Sequence, residues 1–66
     1  VHVIVNGEPQ QVSDRLTVAA LVSQLGLHQR RIAVEINREI IAREAYGTRL
    51  VSDGDQIEIV HFVGGG

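Results

Sequence analysis

The dipeptide Asn6-Gly7 constrains this chain more than any other two residues. It follows Val1-His2-Val3-Ile4-Val5, a run that is β-branched at every position but one. A two-residue hairpin turn of the favoured type needs positive φ at both central positions, and Asn-Gly adopts them most readily. A first strand over 1–5 is therefore expected to fold straight back into a second, Glu8 to Val12. Pro9 lies in that return strand and has no amide hydrogen for a ladder on both sides, so it predicts a sheet edge. Gln10 and Gln11 suit an edge that faces water. The β-branched density of 1–5 reads as a strand buried on both faces.

The hydrophobic period then changes. Val18, Leu21, Val22 and Leu25 recur at i, i+3, i+4 and i+7, one face of a helix. Thr17 is placed to cap its start, although Ala20 cannot complete a capping box. Gly26 stands where a left-handed residue closes a helix, and Leu27 can then pack back on Val22. A polar linker, His28 to Arg31, leads to a strand over Ile32–Ile36. Asn37-Arg38-Glu39 reads as a turn, Ile40-Ile41 as a short strand or bridge, and Arg43 to Gly47 as a helical turn. Ser52-Asp53-Gly54-Asp55 is a further turn, with Gly54 free to take positive φ. The last strand is expected over Gln56 to Val63. Hairpin, helix, strand, short strand, strand is the order of an α+β β-grasp (ubiquitin-like) domain, a mixed four- to five-stranded sheet around one main helix. Its first and last strands should be central, parallel neighbours. The expected layout is a domain over 1–63 and a flexible glycine tail over 64–66.

Composition removes several classes of function. No Cys is present, which excludes a disulfide framework, a zinc-thiolate site and a thiol nucleophile. All six basic side chains are Arg, and eight acidic residues bring the formal charge to −2. A nucleic-acid binder normally carries a basic excess, so no nucleic-acid partner is expected. No apolar run approaches the ~20 residues of a membrane span, and no basic segment followed by an apolar stretch marks export. The expectation is a cytoplasmic chain without a membrane partner.

The remaining candidates for chemistry are weak. His2 and His61 should sit at opposite ends of neighbouring strands and His28 in a linker, so no metal site is expected. Asp53-Gly54-Asp55 lacks the remainder of a calcium loop. Arg30-Arg31 is a lone pair that makes no phosphate clamp, and Glu35, Glu39 and Glu44 have no reason to share a pocket. Ser13, Ser23 and Ser52 lack a neighbouring base. The reading is a protein that is not an enzyme.

Two features point to a partner. A short helix covers one face of the sheet, which leaves Ile4, Val60 and Phe62 on the other as a candidate docking face. Gly64-Gly65-Gly66 follow the last strand directly. Glycine offers no side chain to obstruct a narrow tunnel, and three extended residues reach about 10 Å. The group so presented is the Gly66 carboxylate, a poor electrophile that needs activation, for instance as an acyl-adenylate.

With these residues in view, the sequence resembles the ThiS family, the ubiquitin-like sulfur carriers of thiamin (thiazole) biosynthesis. The resemblance is carried by Val5-Asn6-Gly7-Glu8, Val34 to Asn37, Arg43 with Tyr46, Leu50, and Asp53-Gly54-Asp55. It continues through Ile57-Glu58-Ile59-Val60 and His61-Phe62-Val63-Gly64-Gly65-Gly66. The family often has Trp where Tyr46 stands. The resemblance implies a carrier that binds no cofactor of its own. A ThiF-type adenylyltransferase would adenylate Gly66 with ATP and magnesium, and a cysteine desulfurase system would supply sulfur to form a thiocarboxylate. A ThiG-type thiazole synthase would then accept that sulfur. A chain without Cys or Lys offers no thiol or ε-amine to capture the activated end. The alternatives are a ubiquitin-like protein modifier, a molybdopterin-synthase-type sulfur carrier subunit, and a plain β-grasp binding module whose tail is dispensable.

Overall fold

A computed structural model describes residues 1–62. Five strands form one sheet: β1 (His2–Val5), β2 (Glu8–Gln11), β3 (Ile32–Ile36), β4 (Glu39–Ile40) and β5 (Gln56–His61), in the order β2-β1-β5-β3-β4. β1 and β5 run parallel and the other pairs are antiparallel. One helix, α1 (Val18–Gln24), and two 3-10 turns, Gln29–Arg31 and Arg43–Ala45, are the other elements among the described residues. This is the β-grasp arrangement with five strands. No helix among the described residues is long and apolar enough to cross a membrane.

The local chemistry of the first half accounts for its geometry. Asn6 and Gly7 both take positive φ, 49° and 82°, and set Pro9 opposite Ile4 on the outermost strand. Exchanged hydrogen bonds between Val1 and Val12, both 2.8 Å, close that hairpin. The Thr17 hydroxyl accepts from the Ala20 amide at 3.1 Å. The amides of Val18 and Ala19 instead reach the carbonyls of Arg49 and Tyr46, at 2.9 and 2.8 Å. Together with the Leu21 amide bonded to the Thr17 carbonyl, these contacts satisfy the exposed amides of the first helical turn.

Gly26, at φ +75°, ends the helix: its amide donates to the Ser23 carbonyl and that of Leu27 to the Val22 carbonyl. This is the paired bonding of a Schellman motif. A Cβ added at Gly26 would meet nothing within 4 Å, so only the backbone resists substitution. Gly26→Ala should cost about 1–2 kcal/mol, the penalty of a left-handed residue with a side chain. A thermal melt should show a midpoint lowered by roughly 4–8 °C per kcal/mol for a domain of this size.

The core lies between α1 and one face of the sheet. Val3, Val5, Ile32, Val34, Ile36, Ile57 and Ile59 meet Val18, Leu21 and Val22, and Leu16, Ile41, Tyr46 and Val51 close the sides. Four expectations are corrected here. Residues 1–5 are not buried on both faces, because a helix of seven residues covers only one, and His2 and Ile4 are exposed. The short strand is Glu39–Ile40, not Ile40-Ile41: Asn37 and Arg38, at φ 52° and 70°, turn the chain in two residues where three were expected. The linker before β3 contains the first 3-10 turn, and β5 ends at His61.

Candidate functional site

β5 is the central strand and the one that leads to the C-terminus. Its pairing with β1 has only two registered positions, Ile4 opposite Gln56 and Val5 opposite Ile57. Side chains lengthen that ladder at both ends. Beyond Val5, the Asn6 amide does the work of a further strand residue: its Oδ1 accepts from the Ile59 amide at 2.7 Å and its Nδ2 donates to the Ile59 carbonyl at 3.2 Å. At the other end the His2 amide donates to Asp53 Oδ1 at 2.8 Å, and its carbonyl accepts from Gly54 at 2.6 Å. The far side of β5 is held likewise by Asn37, whose Oδ1 accepts from the Gln56 amide and whose own amide donates to the Gln56 carbonyl.

Asp55 ties these parts together. Only 8% exposed, it accepts from the Ser52 amide at 2.8 Å and from Asn37 Nδ2 at 3.0 Å. The Asp-Gly-Asp turn thus anchors both neighbours of β5. The sequence marks it only as a turn, because both of its partners lie far away along the chain. Replacing Asn6 by Ala removes both contacts to Ile59, each worth about 0.5–1.5 kcal/mol. Native-state hydrogen exchange should then show the Ile59 amide losing protection while the Val34 amide keeps most of its own.

Ile4, Val60 and Phe62 are all exposed, at 36%, 55% and 50%. By register Ile4 and Val60 share the face opposite α1, and the Phe62 amide continues the pairing with a 2.8 Å bond to the Arg31 carbonyl. The structure does not bring the three into one cluster. Ile4 lies beside Gln56, four residues and about 13 Å along β5 from Val60. Glu58 stands between them, directly opposite Glu35 on β3. Val60 neighbours Ala33, while Ile40 on β4, 75% exposed and expected only as part of a short strand, lies beside Glu35 of β3. The face therefore carries two apolar ends and an acidic middle. His2 and His61 sit at opposite ends of β1 and β5, and no three of His, Cys, Asp or Glu among the described residues come together to hold a metal. Val63 and the expected carrier residues Gly64, Gly65 and Gly66 lie outside the described residues.

Comparison with known proteins identifies the group to which this arrangement belongs. The model of the ThiS family matches residues 3–66, from β1 through the three terminal glycines. The chain belongs to the ThiS family. A ThiS protein of thiamine biosynthesis from Geobacter metallireducens, known from a crystal structure, superposes with a TM-score of 0.85 at 39% identity, covering all of both chains. The sulfur carrier protein ThiS of Bacillus subtilis is 45% identical over 53 residues, 80% of each chain. A thiazole synthase of Paramagnetospirillum magneticum is 46% identical over 63 residues. That match takes in 96% of this chain but 19% of the synthase, so the chain spans about a fifth of that relative's length. That relative is thus a thiazole synthase of which one stretch is similar to this chain.

Proposed function

We propose that this chain is a sulfur carrier of thiamine biosynthesis, working in the cytoplasm, whose reactive group is the C-terminal carboxylate of Gly66. The single observation that carries the reading is the family match over residues 3–66, a span that takes in β5 and the Gly64-Gly65-Gly66 terminus. The anchoring of β5 on both sides by Asn6, Asn37 and Asp53 supports it, since a rigid strand aims whatever follows it.

In this reading an adenylyltransferase of the ThiF type binds the carrier and joins the Gly66 carboxylate to the α-phosphate of ATP, with release of pyrophosphate. A sulfur nucleophile drawn from a cysteine desulfurase system attacks the acyl carbon. AMP leaves with one of the original oxygens; because that sulfur arrives as a persulfide, a thiol reductant then cleaves the S–S bond of the acyl disulfide so formed, supplying two electrons and leaving the thiocarboxylate. A thiazole synthase of the ThiG type accepts that sulfur. The Paramagnetospirillum relative supports this last partner, because one stretch of that thiazole synthase is similar to this chain. Magnesium and ATP belong to the activating enzyme, and the carrier contributes a fold, a docking surface that includes Ile4, Val60 and Phe62, and an end group.

Intact mass spectrometry after incubation with ATP, a ThiF-type enzyme and a cysteine desulfurase system tests the proposal. The expected result is exchange of one oxygen for one sulfur, localised to Gly66 and reversed by thiazole synthase with its substrates. Adenylation followed by amide adducts on other proteins would indicate a protein modifier. An unchanged mass with a demonstrably active partner system would overturn the reading.

A further inference from the structure

Where α1 ends and β3 begins, Ser23, Leu27, His28, Gln29, Arg30 and Arg43 line a cleft of about 350 Å³. The lining holds two guanidiniums, one imidazole and no carboxylate, in a chain whose net charge is −2. The arrangement is built by the fold, since Arg43 comes from the second 3-10 turn, thirteen residues beyond Arg30. Arg43 is also held: Nε donates to the Gln29 carbonyl at 3.2 Å and one terminal nitrogen donates to the Ile32 carbonyl at 3.3 Å. Both acceptors are neutral, so these bonds orient the guanidinium without cancelling its charge, and three of its five N–H donors are left over. His28 Nδ1 accepts from the Arg30 amide at 3.3 Å, which leaves the Nε2 hydrogen of a neutral ring as a further donor. The cleft lies near the end of β5, for the carbonyl of Arg31, next along from Arg30, accepts from the Phe62 amide, and Ile32 lies opposite His61.

We propose that this cleft receives the side-chain carboxylate of an aspartate or glutamate on the protein that engages this chain's C-terminus. The identity of that protein rests on the sulfur-carrier reading; the carboxylate site itself does not. A carboxylate fits better than a phosphate. Leu27, half-buried, offers an apolar wall that suits the methylene groups of Asp or Glu and gives a phosphate nothing. A planar guanidinium matches the two carboxylate oxygens in a charge-assisted pair.

The test uses the full chain, labelled with nitrogen-15, and needs no partner enzyme. The α-amide of N-acetylglutamate, which carries one carboxylate, is titrated at constant ionic strength, with inorganic phosphate as the comparison. The expected result is saturable shifts at the amides of Leu27, His28, Gln29 and Arg30 and at the Arg43 Nε signal. Arg30→Glu should weaken this binding about tenfold, whereas Arg38→Glu, at the β3–β4 turn, should leave it unchanged. Arg43→Lys, which keeps the charge but loses the fork, should weaken it too. Three results would overturn the proposal: shifts that do not saturate, equal shifts at the side chains of Arg15, Arg38 and Arg49, or tighter binding of phosphate than of the carboxylate. None of these bears on sulfur uptake at Gly66, which the mass measurement decides separately.

Discussion

A chain ending at Gly64 is expected to take up no measurable sulfur while keeping its fold. Removing Gly65 and Gly66 shortens an extended reach by about 7 Å. Displacement of a reacting group by even 1 Å can cost about 100-fold, so loading should fall by at least that factor. Among the described residues, 1–62, the core is closed and β5 is bonded on both sides, by Asn6 and Asp53 towards β1 and by Asn37 towards β3. The thermal midpoint of the truncated chain should therefore match that of the full chain, and the mass spectrum after incubation with the activating system should show neither adenylate nor thiocarboxylate. A truncated chain that still loads would remove Gly66 as the reactive group. A dispensable tail was the mark of the plain binding module, and this pair of measurements separates the two.

Tyr46→Ala is expected to unfold most of the protein. Tyr46 is 2% exposed and heads the fully buried side chains by volume. Truncating a buried aromatic costs about 3–5 kcal/mol through lost transfer energy and the cavity left behind. Small domains are stable by ~0.05–0.15 kcal/mol per residue, and a chain of this length, which buries only about 60% of its unfolded surface, sits near the lower end, roughly 3–5 kcal/mol. The Tyr46 carbonyl also accepts from Ala19 at the start of α1, so a disturbed 3-10 turn would loosen the helix as well. The amide proton spectrum of the variant should collapse toward that of an unfolded chain. Tyr46→Phe, which preserves the ring volume, should cost less than about 1.5 kcal/mol and stay folded. If the alanine variant retained a sharp cooperative melt near that of the parent, Tyr46 would not be the core anchor its burial indicates.

What could be read along the chain and what could not divide at a physical boundary. Asn6-Gly7, Pro9, Thr17, Gly26 and Gly54 each act through their own backbone or that of close neighbours, and each does in the structure what its local chemistry requires. The alternating burial of β3 and β5 and the apolar face of α1 follow from periodicity in the same way. The candidate site was legible in part: Ile4, Val60 and Phe62 could be recognised as exposed from strand parity, since parity is a local property. That Ile4 stands apart from Val60 could not, because the β1–β5 register depends on contacts between residues some fifty positions apart. The overestimate of burial at 1–5 has the same origin, since strand composition does not reveal how much of a sheet its helix covers.

The main strands, the helix and their order are encoded in short-range preferences of φ, hydrophobic period and capping, whereas the bounds of β4 and the 3-10 turn before β3 are not. How β5 is held and where charge collects depend on residues that meet only across the fold. Asn6 reaches Ile59, Asp53 reaches His2, Asp55 reaches Asn37, and the carbonyls of Tyr46 and Arg49 complete the start of α1. Arg43 crosses to Gln29 and Ile32 and joins Arg30 in one cleft. In each case the two partners are distant along the chain and the fold brings them together. A hydrogen bond needs its partner within about 3 Å but is indifferent to separation along the chain, so these pairs become readable only in the folded molecule.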